Sequence, residues 1–136
     1  MKKLIFSSLL LTSALVANEL TIEVDRLLNS QGEISIGLYD NANSFTKPSK
    51  VYKGAHIRIS DSKLRYTFAD IPNGVYAISL FHDENENNKI DKNFLGIPTE
   101  GYGFSNNIRP TFRAATFDES KFDLKGNKTI IIHMGY

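Results

Sequence analysis

The chain has 136 residues, with 16 basic against 15 acidic side chains, three histidines and no cysteine. Without a basic excess there is no electrostatic grip on nucleic acid, which requires a positive patch or stripe. Without cysteine there is no disulfide framework, no zinc–thiolate centre and no lipidated cysteine.

The N-terminus reads as an export signal. Met1-Lys2-Lys3 is a short positive segment, and Leu4 to Val16 is an apolar run of roughly 13 residues, the length of a signal-peptide core and too short to span a bilayer. Ala17 before the polar Asn18 places cleavage after Ala17, with Ala14 as the alternative because Leu15 stands three residues before the first cut. Residues 1–17 are thus expected to be a signal peptide, and 18–136 one domain that is periplasmic or secreted, with no transmembrane anchor in the mature chain. Lys2 and Lys3 leave with the leader, so 14 of the 16 basic residues remain against 15 acidic ones. About 119 residues suffice for a hydrophobic core without covalent staples.

The mature chain then reads as strands and turns. Between Thr21 and Leu27, Leu20, Ile22 and Val24 alternate with Thr21, Glu23 and Asp25, the period of two that a half-buried strand requires. Ser30-Gln31-Gly32 makes a turn, and Ile34, Ile36 and Leu38 repeat the alternation. Ala55, Ile57 and Ile59 mark a third strand, Leu64, Tyr66 and Phe68 a fourth, with a hairpin-like Ser60–Lys63 connection between them. Ile71-Pro72-Asn73-Gly74 is a strong turn signal, and Val75–His82, apolar on both faces, is predicted to be a central strand. Phe122–Leu124 and Thr129–Met134 flank Gly126-Asn127 as a two-residue hairpin would. No segment has helical periodicity over three turns. The prediction is an all-β, single β-sandwich of about seven strands, immunoglobulin-like or transthyretin-like.

One loop carries most of the chemistry. After the fifth strand, oxygen-bearing side chains recur at alternate positions, Asp83, Asn85 and Asn87, and again at Asp91. This is the spacing of a calcium loop, whose first, third, fifth and ninth residues wrap a hard cation while the seventh, here Lys89, offers its carbonyl. Two departures stand out: Asn88 replaces the glycine of the sixth position, and Phe94 stands where the bidentate glutamate belongs. Asn tolerates the left-handed backbone needed at the sixth position, and a further oxygen would come from Glu84, Glu86, Glu100 or water. Two readings therefore stand side by side: a weak calcium site, and a solvated turn in which Asp and Asn bond their own backbone.

The following stretch, Asn93 to Asn107, mixes glycines, aromatics and amides over a length that is functional or disordered in most proteins. It reads either as a ligand or partner surface made of His82, Glu100, Tyr102, Phe104 and Asn106, or as a covering loop whose aromatics plug the end of the sandwich.

Phe81-His82-Asp83-Glu84-Asn85, Asn93-Phe94-Leu95-Gly96-Ile97-Pro98 and Glu100-Gly101-Tyr102-Gly103-Phe104-Ser105-Asn106-Asn107 together resemble the signature of a bacterial exported family, domain of unknown function 2141. The resemblance runs from Leu20-Thr21-Ile22 through Ile71–Tyr76 to the last strand. It implies an exported β-sandwich and supplies neither an activity nor catalytic residues. Members carry glycine within the Asp/Asn loop, where this chain has Asn87-Asn88, a departure that counts against tight calcium binding.

Enzyme signatures are sparse. His56 lies on a strand's polar face, His133 sits in the last strand beside three isoleucines, and His82 alone adjoins the distinctive loop. No Gly-x-Ser-x-Gly elbow and no His-x-x-x-His pair is present. Two functions of different class follow. The first is an envelope binding or structural module, calcium-stabilised, that contacts a protein, glycan or small-molecule ligand. The alternative is a hydrolase with an acidic or His82-centred site.

Overall fold

The computed structural model describes residues 3–5 and 17–136. Apart from 3–5 and Ala17, the expected leader lies outside the described residues. Among the described residues no helix is long and apolar enough to cross a membrane.

Among the described residues eight strands form the fold: β1 (Ala17–Asp25), β2 (Glu33–Tyr39), β3 (Lys53–Arg58), β4 (Leu64–Pro72), β5 (Gly74–Asp83), β6 (Tyr102–Phe104), β7 (Phe122–Leu124) and β8 (Lys128–His133). The four-residue helix α1 (Phe117–Ser120) precedes β7. One sheet has the order β4-β1-β8; the other runs β3-β2-β5-β6, with β7 paired to the start of β5. The all-β prediction holds, with one strand more than expected. β6 is the addition, three residues with a glycine at their centre that are too short to show alternation.

The alternating residues face one core between the sheets. Leu20, Ile22 and Val24 from β1, Ile34, Ile36 and Leu38 from β2, and Ile78 and Leu80 from β5 are all essentially inaccessible to solvent. β5 is central in its sheet, between β2 and β6, as its two apolar faces require. Its outer side at Ala77 belongs to a second cluster with Tyr39, Phe45, Phe104 and Ala115, contributed largely by the long connections.

Two expected hairpins are absent. Ser60–Lys63 joins β3 and β4, which lie in different sheets, so the chain crosses the sandwich there. Gly126-Asn127 does not fold β8 back on β7: β8 runs parallel to β1, and β7 pairs with Gly74–Tyr76 of β5. The Asn127 side chain accepts from Glu19 N at 2.8 Å, which draws the chain across to the start of β1. The Ile71–Gly74 turn is real and also crosses between sheets; Asn18 donates to Ile71 O at 3.0 Å and the Tyr76 hydroxyl to Pro72 O at 2.7 Å, fastening the corner.

Candidate functional site

The loop between β5 and β6 joins neighbouring strands of one sheet, so its two ends lie side by side: His82 N donates to Gly101 O at 2.8 Å and Phe81 stands opposite Tyr102. A connection this long keeps one shape only if its backbone groups find partners. Two carboxylates supply them, and a third ties the side chains together. Asp83 is fully buried, its Oδ1 accepting from Asn87 N at 3.1 Å and its Oδ2 from Asn88 N at 2.8 Å. Glu100 is buried too and accepts from Glu84 N and Asp91 N, both at 2.8 Å. Asp91 receives the side-chain amides of Asn85 and Asn87, each at 2.7 Å, one on each oxygen.

The backbone follows from this. Glu86 (φ 55°) and Asn88 (φ 63°) both adopt the left-handed conformation, and successive amides beyond Glu86 turn inward to form a nest around the Asp83 carboxylate. Asn88 stands there in place of the glycine of the usual loop, in the conformation its short polar side chain tolerates.

Of the five residues predicted to hold a cation, Asp83, Asn85, Asn87 and Asp91 belong to one hydrogen-bonded cluster, while Lys89 donates its backbone N–H to Asn87 Oδ1 at 3.2 Å. The donor set is two carboxylates and two amides. Among the described residues no group of three or more His, Cys, Asp or Glu forms a metal centre. A half-turn of each amide exchanges its NH₂ for its oxygen, which makes all four side chains hard oxygen donors. The Asn87 amide is the main influence holding the Asp91 carboxyl below its ordinary range; desolvation opposes it, and Asn85, Glu100 and Lys89 each add a smaller lowering effect.

The residues predicted to form a surface are divided. His82, Glu100 and Phe104 are buried, Tyr102 is half-buried, and Asn106 is exposed with its amide donating to Glu119 O and Lys121 O. Phe104 packs into the second apolar cluster as a covering residue. His82 is fully buried, with Nε2 2.6 Å from Gln31 O and Nδ1 2.6 Å from the Tyr136 hydroxyl. Gln31 O can only accept, so Nε2 carries the proton and Nδ1 receives that of Tyr136. Burial is the main influence raising the Tyr136 hydroxyl above the ordinary phenol range, which suits a donor. Both ring nitrogens of His82 are thereby committed to holding the β1–β2 turn and the C-terminal Tyr136 against the loop base.

A close group of exposed apolar residues lies elsewhere in the same loop, and sequence reasoning missed it. Phe94 is 95% exposed, Leu95 68% and Ile97 55%. They sit on a closed turn: Asn93 Oδ1 accepts from Leu95 N and Ile97 N, Asn93 N donates to Ile97 O, and Gly96 N to Asn93 O. An Asn three residues before a glycine was the available signal for this turn.

The fold and loop define a two-sheet β-protein that projects one internally braced loop from the end of its central strand. The chain belongs to the family described as an uncharacterized protein conserved in bacteria (DUF2141), whose model matches residues 22–132. Neither a curated protein nor a solved structure matches it.

Proposed function

We propose that this protein is an exported, periplasmic or secreted binding module whose β5–β6 loop is the recognition element. The observation that carries this reading is the tip: three large apolar side chains within four residues, held in solvent by a turn with its own hydrogen bonds. Scattered exposed apolar residues are ordinary, but a clustered and preorganised set marks a contact surface. The partner is an envelope component, a protein, glycan or small molecule, with an apolar recess to receive Phe94 and Leu95. A photo-crosslinking residue placed at position 94 should give a discrete adduct in intact cells. The same residue at Phe112, which is 98% exposed and lies outside this loop, should not. Equal labelling from both positions would refute the reading.

The base of the loop is proposed to take calcium weakly through Asp83, Asn85, Asn87, Asp91 and the Lys89 carbonyl. What supports this is the hydrogen-bonded convergence of two carboxylates and two amides together with the left-handed Asn88. A loop lacking the bidentate glutamate belongs at the millimolar end of calcium affinities. At calcium about tenfold above such a dissociation constant, ligation adds about 1.4 kcal/mol, a Tm rise of roughly 3–8 °C. Asp91 keeps its charge below the ordinary carboxylate range, so the response should survive mild acid and vanish as the pH falls through the lowered value. Absence of any shift at several millimolar calcium, or an unchanged shift in Asp91→Ala, would overturn this part.

A further inference from the structure

The protein has five arginines, and their pairing is uneven. Arg58 pairs with Glu86, Arg65 with Glu23 and Arg113 with Glu119. Arg26 and Arg109 have no carboxylate partner among the described residues, and both line one cleft of about 230 Å³, together with Asn107 and His133. The cleft lies where the end of β8 meets β6, on the side of the sandwich where Tyr102 bridges Gly135. Phe104 and Met134 contribute its apolar wall.

Three of the polar groups, Arg109, His133 and Asn107, are held before any ligand arrives. The Arg109 guanidinium lies 4.2 Å from the centre of the Tyr102 ring and donates from Nη1 to Tyr102 O at 3.1 Å. It also lies against Gly135, where a Cβ would collide with it, so the glycine makes room for the guanidinium. His133 is anchored twice: its Nδ1 is 2.6 Å from Asp25 Oδ1, and its backbone N donates to Asn107 Oδ1 at 2.9 Å. Asn107 in turn donates to Ile131 O at 3.2 Å, so one amide side chain satisfies the outer edge of β8 and orders the cleft wall. Arg26 leaves β1 in a left-handed conformation (φ 60°), unusual for a residue with a long side chain.

From this arrangement we propose that the cleft is a binding site for a small oxyanion, the carboxylate or phosphate of a compact ligand whose body packs on the half-buried Ile108. Guanidinium groups recognise both anions with paired N–H donors. Asp25 is the one acidic group bonded to a lining residue, and its Oδ1 is turned to His133 Nδ1, while no carboxylate is itself among the lining residues and two arginines are. The volume admits a short-chain acid or a monophosphate and little more. This site is separate from the apolar tip and from the calcium-type cluster, and neither reading depends on it.

The test is an NMR titration of the full mature chain with sodium phosphate and, separately, sodium butyrate, with ionic strength held constant by sodium chloride. Saturable shifts are expected for the Arg26 and Arg109 Nε–H signals and the His133 ring, with Arg58 and Arg113 unmoved. Losing one charged hydrogen-bond donor should weaken binding by about tenfold or more, so Arg26→Gln and Arg109→Gln should both show it and Arg58→Gln should not. Arg109 also stacks on Tyr102, so if its variant fails to fold, Arg26→Gln and Arg26→Lys carry the test, the lysine retaining charge without the paired donors. Saturation by phosphate alone assigns a phosphate group, and by butyrate alone a carboxylate. Linear, non-saturating drift with both anions, or unchanged affinity in Arg26→Gln, would overturn the proposal.

Discussion

Replacing Glu100 by alanine is expected to lower the folding free energy by about 2–5 kcal/mol, because two backbone donors lose their acceptor at once. Its carboxylate is the shared partner of Glu84 N, where the chain leaves β5, and Asp91 N, where it begins the return. No neighbouring oxygen is bonded to either amide in its place, and the residue is only 7% exposed. Equilibrium unfolding in urea measures the loss, and hydrogen exchange locates it: the Glu84 and Asp91 amides should lose protection first. Glu100→Gln keeps one acceptor oxygen and turns an NH₂ toward the other donor, so it should fall between wild type and alanine. A Glu100→Ala variant within about 0.5 kcal/mol of wild type would mean that water replaces the carboxylate at no cost, as at an ordinary surface position. The same variant separates the two parts of the loop. The tip turn is closed by Asn93 alone, so it should keep its local hydrogen bonds while losing its fixed position on the sandwich.

Strands such as β1 and β2 are legible because they alternate apolar and polar residues, and that period survives any arrangement of the sheets. Leu20, Ile22 and Val24 or Ile34, Ile36 and Leu38 need no partner to reveal which face is buried. What pairs with what was not legible. Gly126-Asn127 has hairpin chemistry, yet the chain crosses to the β1 edge, where Asn127 meets Glu19 and six residues of β8 align parallel to β1. That pairing alone brings Asp25 opposite His133, so a side-chain pair separated by most of the chain had no local trace in the sequence. The Asp/Asn spacing from Asp83 to Asp91 was visible and these residues do cluster, because alternate polar residues on a tightly curled loop turn to the same side. Glu100 and His82 were recognised as unusual residues, but composition could not tell a solvent-facing group from a buried clamp. That distinction depends on long-range partners: His82 meets Gln31 O of the β1–β2 turn, and Glu100 meets the amides of Glu84 and Asp91 across the loop.

Gly32→Ala should prove among the most damaging small substitutions in the chain, at about 3–5 kcal/mol or failure to fold. Two penalties coincide there. Gly32 has φ +69°, where a side chain is strained, and a Cβ would strike Asp83 O and the Glu84 backbone rather than a side chain able to rotate away. The turn cannot retreat, because Gly32 O accepts from Ile59 N at 3.3 Å and the adjacent Gln31 O is bonded to His82. Gly126 separates the two penalties: its φ is +92° with nothing within 4 Å, so Gly126→Ala carries the backbone strain alone. It should cost about 1 kcal/mol. The difference between the two variants in chemical denaturation measures how closely the β1–β2 turn is pressed onto Asp83 and Glu84. If both lose the same amount, the turn yields to the added methyl, and the base of the recognition loop is softer than its hydrogen bonds imply. If Gly32→Ala is far worse, the turn, His82 and the buried Asp83 form one rigid support, and the loop owes its shape to β1 and β2 as much as to its own residues.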